Sequence, residues 1–511
     1  MDDFRTRISK VALGFALALV CQSALAQALY RIKPLGVLGG CTASAPLANG
    51  FNQADQVTGK ACNAHGDQHA FLWKNNGSPM VDLGPSEVSS SSEGDAINAS
   101  GLVAGSAQDS TGTFGFVSLG SGAPSTKILD TIGGTKAFAY ALNDHGQVTG
   151  EAGTAGDAVE DVFLWSSGSP MRDLGAISDH DYNIGVAINA SGQIAGTSGY
   201  SFEPIAEAFV WKNDGSPLQS LGVLAGGSSS YACCINASGQ IAGNSNTQAH
   251  TKTRAFIWKN NGTPMQSLGT LGGGESFAAA LNDAGQVAGY SDTVRFLKPH
   301  AFVWLNDGHP MKNLGTLGGT TSFANDINAS GEVTGFAYLA GDTVSHAFLW
   351  RNDGTNMQDL NTLIDSTDPL QPYITLNNGE FINVAGDIVA EGLDSRTGNY
   401  GLYVLQGTVL TVSPRSLAFG NQRVSTTSAA RSVTLTNTGS RAAAITSIAV
   451  TGTASSQFHS TNNCGTSLAG HATCTIQVTF KPATRGVKSA FLNVNGGGGG
   501  LRSVSLSGNG T

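Results

Sequence analysis

"INASGQIAG", residues 188–196, is written again letter for letter at residues 235–243. Near-copies occur as "INASGLVAG" from Ile97 and "INASGEVTG" from Ile327. Aligned on the asparagine, the phrase marks Asn52, Asn98, Asn143, Asn189, Asn236, Asn282, Asn328 and Asn383, at spacings of 46, 45, 46, 47, 46, 46 and 55 residues. A chain that repeats itself at such a period builds one supersecondary unit many times over. Within the phrase, Asn-x-x-Gly fits a type I turn. The asparagine bonds back to its own backbone, and the glycine supplies positive φ. The phrase is therefore turn chemistry rather than a catalytic amide.

Two further phrases fill out each unit. One reads "HAFLW" from His69 and His346, "HAFVW" from His300, and "DVFLW", "EAFVW" and "RAFIW" from Asp161, Glu207 and Arg254. All six tryptophans of the chain close this phrase: Trp73, Trp165, Trp211, Trp258, Trp304 and Trp350. The other reads "SPMVDLG" from Ser78 and "TPMQSLG" from Thr263. Gly, Asn and Ser interrupt the text at strand spacing and leave no long run of helical periodicity. Each unit thus predicts four short strands. Strand a ends at the asparagine, b is the "QIAG" piece, c is "AFLW" and d is "PMQSLG". Strand c is apolar on both alternating sets, so both of its faces must be covered. A β-propeller blade between two neighbours meets that demand. Eight asparagine units predict about eight four-stranded blades, with seven as the alternative because unit two has Ser118 in place of Trp and the last unit is stretched. The last unit lacks a d strand, and "YRIKPLGVLGG" from Tyr30 reads as one. Residues 30–35 are therefore expected to pair with the strand around Leu402 and Leu405, closing the ring.

Periodicity stops near Gln406. The text then alternates, as in "VTLTN" from Val433 and "TIQVTF" from Thr475, which predicts an immunoglobulin-like β-sandwich. The fold class is all-β. The expected domains are a signal peptide at 1–26, the propeller at 27–406 and the sandwich at 407–511. The signal peptide rests on Arg5, Arg7 and Lys10, a short apolar run and an Ala-Leu-Ala cleavage site. Val20 argues against lipidation of Cys21, and the run is too short to span a membrane. The chain is expected to be secreted or held at the cell surface, with the periplasm as the alternative.

Export permits disulfides. Cys41 and Cys62, read as lying on the a and b strands of blade one, are expected to form a cross-strand bridge. Cys464 and Cys474 are expected to pair across a hairpin. Cys233 and Cys234 form either a vicinal ring or two buried thiols. No pair has zinc-site spacing.

The combined phrases resemble the HAF repeat of bacterial extracellular proteins over roughly residues 30–405. "SPRSLAFGNQRVSTTSAARSVTLTNTGS" from Ser413 and "CGTSLAGHATCTIQVTFKP" from Cys464 resemble the choice-of-anchor D / abnormal-spindle–hydin type of Ig-like domain. The first resemblance implies secretion and no agreed activity. The second implies a surface or adaptor module that often binds partners. Neither implies catalytic residues.

A net charge of −9 leaves no basic footprint for nucleic acid. No P-loop, nucleophile elbow or calcium-loop spacing is present. His69, His300 and His346 recur at one place in separate blades and read as blade packing or edge hydrogen bonding rather than a metal site. No catalytic set, cofactor or metal is expected. With a–b and c–d turns short and uniform, the varied b–c and d–a loops on the other face are the expected recognition side. Their aromatics Tyr200, Phe202, Tyr290, Phe296 and Tyr338 are the candidate ligand-binding residues. The expected function is binding or adhesion to an extracellular glycan or surface protein. A polysaccharide lyase or hydrolase is the alternative, and a purely structural envelope protein the third reading.

Overall fold

The structure is a computed structural model. It describes residues 29–41, 44–84, 91–118, 126–201, 203–247, 252–294, 298–366, 368–408, 410–437, 443–470, 472–496 and 502–511. Residues 1–26, expected to be a signal peptide, Phe202 and Phe296 lie outside the described residues. The chain divides into two compact units, Tyr30–Gln406 and Gly407–Thr511. Among the described residues no helix is long and apolar enough to cross a membrane.

The first unit holds eight blades of four strands. Blade 1 comprises Leu47–Phe51, Val57–Cys62, Gln68–Trp73 and Val81–Asp82 as strands a to d. The same order recurs to blade 7, whose a strand is Gly318–Ile327. One parallel residue pair, Glu160 with Tyr182, joins blades 3 and 4 into a continuous sheet. Each a strand touches the a strand of the next blade, and that of blade 8 (Ile374–Ile382) touches that of blade 1. The a strands therefore form the innermost ring of a propeller.

Blade 8 is completed from the other end of the chain. Its strands Ile374–Ile382, Ile388–Asp394 and Asn399–Thr408 take Leu29–Pro34 as the fourth, and the Leu35 amide donates to the Leu402 carbonyl at 3.0 Å. Leu35, Val389, Leu402 and Val404 then pack on Val57, Phe71 and Trp73 of blade 1. This is the ring closure expected from the missing d strand.

The repeated phrases each hold two blades together. In the turn, Gly192 has φ +75°, the left-handed region that glycine enters without a Cβ penalty. Asn189 Oδ1 accepts from the amides of Ser191 and Gln193, both at 3.0 Å. Its amide nitrogen leaves the blade and donates to the backbone carbonyl of Asn236, also at 3.0 Å. Equivalent bonds run from Asn52 to Asn98, Asn98 to Asn143, Asn143 to Asn189, Asn236 to Asn282, Asn282 to Asn328 and Asn328 to Asn383. The asparagine is thus a turn residue and a rivet to the next blade.

Strand c shows why it is apolar on both faces. Phe71, Phe163, Phe209, Phe256, Phe302 and Phe348 are fully enclosed. Cations from the preceding blade cover five of the tryptophans: Lys33 over Trp73, Lys127 over Trp165, Arg172 over Trp211, Lys259 over Trp304 and Lys312 over Trp350. His69 and His346 pair with the d-strand carboxylates of Asp82 and Asp359 in their own blades, and His300 with Asn313. These are edge bonds, and no group of three or more His, Cys, Asp or Glu suited to a metal occurs among the described residues.

The second unit is a two-sheet sandwich. Leu410–Ser413, Arg431–Asn437, Thr473–Phe480 and Phe458–Asn462 form one sheet. Ser416–Gln422, Arg502–Gly510, Gly486–Gly496, Ala443–Thr451 and Ser467–Leu468 form the other. Phe419, Phe458 and Phe480 stack in its core with Val433, Leu435, Ile476 and Leu492.

All three cysteine pairs are bridged. One expectation needs correction. Cys41 lies in the segment before the first strand of blade 1, not on that strand, so its bridge to Cys62 ties the incoming loop to the end of strand b. The cysteine sits too far upstream of Asn52 for the short a strand to reach it.

Candidate functional site

The a strand carries an irregularity at the same place in every blade. Its pairing with strand b slips by a residue three positions before the asparagine. A bulge of this kind leaves the extra residue out of the ladder and re-aims its side chain. The bulged residues are Asn49, Asp95, Tyr140, Val186, Cys233, Ala279, Asn325 and Glu380. Nothing in the ladder restrains their identity, and the eight are almost all different.

Around blades 1 to 3 this variable position helps build a cavity of about 590 Å³. Its walls include Lys60 and Gln68 from blade 1, Ser91, Glu93, Asp95, Ser106, Gln108 and Thr113 from blade 2, and Phe138 and Tyr140 from blade 3. Gln68, Ser91 and Thr113 begin their strands and Gln108 ends its own, all at the b–c and d–a side of the blades. The cavity therefore opens on the face with the varied loops. A smaller depression of about 280 Å³ lies over the Asn-x-x-Gly turns on the opposite face.

The charges in the cavity are arranged in sequence. Glu93 is held by Lys60 Nζ at 2.8 Å and by the Asn49 amide at 2.7 Å. Among the described residues, Asp95 accepts only a long 3.4 Å bond from the Ser106 hydroxyl. Burial, reinforced by the neighbouring Glu93 charge, pushes its carboxyl up to about 7. Tyr140 donates to Glu151 Oε1 at 2.8 Å behind the wall, and burial pushes that carboxyl up to about 7 as well. Burial and the Glu151 charge push the Tyr140 hydroxyl upward in turn. The rings of Phe138 and Tyr140 lie nearly parallel, 5.9 Å apart. The site offers hydrogen-bonding side chains, an aromatic wall and a carboxyl with few partners.

The aromatics expected in loops are placed differently. Tyr200, Tyr290 and Tyr338 all lie in b strands, in Ile194–Tyr200, Val287–Thr293 and Val333–Leu339. The strands run on past the repeated phrase, so residues that look like loop are still paired. Tyr290 packs between Phe277 at 5.0 Å and Phe323 at 4.8 Å, and the chain of rings continues through Phe336 to Tyr338. Tyr200 donates to Asp179 at 2.8 Å and meets the His180 ring edge-on. None of the three lines the cavity in blades 1 to 3. Of the residues that do line it, Asp95 and Tyr140 were legible only as the variable place three before each asparagine.

Residues 408–504 match the family model for the abnormal spindle-like, ASPM-SPD-2-Hydin (ASH) domain. No curated protein matches the chain. Among solved structures, the ASH / PapD-like domain 7 of human CEP192 is similar at 20% identity, covering 20% of this chain and 84% of that one, with a TM-score of 0.16. The β-propeller domain of the Trilobed protease from Pyrococcus furiosus is similar at 13% identity over 67% of this chain and 100% of that one, with a TM-score of 0.37. A putative TolB from Agrobacterium tumefaciens is similar at 11% identity over 74% of this chain and 98% of that one, with a TM-score of 0.31. The chain is all-β, a propeller followed by an Ig-like ASH-type sandwich, and that pairing fits a binding or structural role.

Proposed function

We propose that this is an exported binding protein of the HAF-repeat type that recognises an extracellular glycan through the cavity between blades 1 and 3. The observation that carries this reading is the cavity itself. It lies on the varied face, draws on three blades, and combines Ser, Gln and Thr side chains with the Phe138 and Tyr140 rings. Hydroxyl-rich ligands need dense hydrogen bonding beside an apolar ring face. The C-terminal sandwich, of the choice-of-anchor D type in this reading, retains the protein at a surface or docks it on a partner.

A glycan array probed with the chain secreted after signal cleavage tests the proposal. Binding should be lost when Phe138 is changed to Ala and retained when Tyr200 is changed to Ala. Unchanged binding by the Phe138 variant would move recognition elsewhere. The raised carboxyl of Asp95 beside Glu93 favours a second reading, polysaccharide hydrolysis with Asp95 as the acid. Release of new reducing ends from a bound glycan would establish it.

A further inference from the structure

We propose that the cavity between blades 1 and 3 takes a saccharide bearing a free amino group, with the ammonium seated at Asp95 and the sugar ring against Phe138 and Tyr140. The inference rests on the glycan reading above and names the ligand class of that site.

The two carboxyls of the cavity have unequal partners. Glu93 and Asp95 both face it, and among the described residues Lys60 is the one cation in its lining. That cation is committed to Glu93, which also takes the Asn49 amide. Asp95 is left with a stretched bond to Ser106. The groups facing it are Lys60 from blade 1, Glu93 and Ser106 from its own blade, and Tyr140 from blade 3, with Glu151 behind that ring. None supplies a second donor of positive charge to Asp95. A neutral sugar hydroxyl would give it a hydrogen bond, whereas an ammonium would give it both the bond and the missing charge. A carboxyl held up by burial and a like charge returns to its ionised form when such a cation arrives. A lysine side chain from a protein could bring the same charge. Its long aliphatic stem asks for a closed apolar tunnel, whereas this cavity sets Gln68, Ser91, Gln108 and Thr113 beside its aromatic wall. That hydrogen-bonding wall favours a sugar.

The probes are glucosamine oligomers, their N-acetylated counterparts and a lysine-rich peptide, titrated calorimetrically against the wild type and Asp95→Asn. At pH 7 the free-amine oligomer should bind at least about tenfold more tightly than the acetylated one. Asp95→Asn should abolish that preference, so that the two oligomers bind within about twofold of each other. Its melting temperature, measured alongside, confirms that the variant is folded. As a check that needs no variant, wild-type affinity for the amine should peak near neutral pH. It falls in acid as Asp95 takes a proton and in alkali as the amine loses one. Binding of the acetylated oligomer should stay flat. Equal affinity for both oligomers, or a flat profile for the amine, overturns the inference while the glycan site stands. Peptide binding that depends on Asp95, with neither oligomer bound, overturns both.

Discussion

Asn383 Nδ2 donates to Asp55 Oδ1 at 2.9 Å across 328 residues of chain. Everywhere else in the ring the repeat asparagine reaches a backbone carbonyl of the next blade. At the seam it reaches a side chain. Asp55 stands where the other blades have glycine, with φ +57°, a left-handed conformation that aspartate tolerates better than most residues. Its carboxylate also takes the amides of Asn75 at 3.2 Å and Gln406 at 2.7 Å. The one departure from the repeated turn therefore gathers three donors where the two ends of the ring meet. Asp55→Ala should leave them without an acceptor and cost about 2–4 kcal/mol, read as a shift in the denaturant midpoint. Ala at Asp144, the residue after the repeat asparagine in blade 3, removes only one exposed inter-blade bond, donated by the Ala99 amide of blade 2, and should cost under about 1 kcal/mol.

Closure by the N-terminal strand makes a stronger demand. Deleting residues 27–36 removes the fourth strand of blade 8 and uncovers Leu402, Val404 and Val57 at the interface. Scanning calorimetry should show a sharp fall in melting temperature. A truncated ring that melts like the full chain would mean that the strand is an accessory.

The architecture was legible in the sequence because each repeat phrase performs a local task that physics restricts to few residues. A type I turn calls for Asn and Gly, and a doubly covered strand calls for "AFLW". The same logic reached the missing d strand and the Cys464–Cys474 bridge. It did not reach the rivet from Asn189 to Asn236, because a turn asparagine uses its oxygen locally whether or not its nitrogen has a distant partner. It also missed the bulge at Asp95 and Tyr140. A bulge constrains the backbone and frees the side chain, so it leaves variation where a motif search looks for constancy. Tyr290 was misplaced for a related reason: strand b continues beyond the repeated letters.

The buried acids set how stability depends on pH. The Glu151 carboxyl stands at about 7 against an ordinary 4.5, burial being the main cause, and its Oε2 has no hydrogen-bond partner among the described residues. Between those values the folded protein keeps a proton that the unfolded chain has released. This group's contribution is therefore full below about pH 4.5 and is lost as pH rises through 7. Asp95 and Glu380, both also raised to about 7, act in the same direction. The propeller should melt at a higher temperature at pH 5 than at pH 8. Glu151→Gln should shrink that difference by on the order of 2 kcal/mol. A variant with the wild-type pH profile would show that Glu151 is ionised throughout.

Tyr290 and Tyr200 should part company on mutation. Tyr290 fills the space between Phe277 and Phe323 on neighbouring blades, so Tyr290→Ala should cost about 2–4 kcal/mol through the cavity it leaves. Tyr200 ends its strand and bonds to exposed Asp179. Its replacement by Ala should cost under about 1 kcal/mol. Equal losses in urea titrations of the two variants would contradict the ring contacts.

The sandwich holds a charge that nothing balances. Arg502 is 4% exposed, and its Nε donates to the Leu410 carbonyl, while Nη1 and Nη2 are buried with no hydrogen-bond partner among the described residues. Burial, with the Arg415 charge nearby, pushes its pKa down. An uncompensated buried guanidinium opposes folding, and a well-packed apolar side chain of similar length removes that cost at the loss of one hydrogen bond. Arg502→Met should therefore stabilise the sandwich by about 1–3 kcal/mol. The strand Arg431–Asn437 lies in the opposite sheet and contributes the fully buried Val433 and Leu435 to the core, so its amides report global opening. Their hydrogen exchange should slow by about tenfold for each 1.4 kcal/mol gained. Faster exchange in the variant would mean that the Leu410 bond outweighs the buried charge.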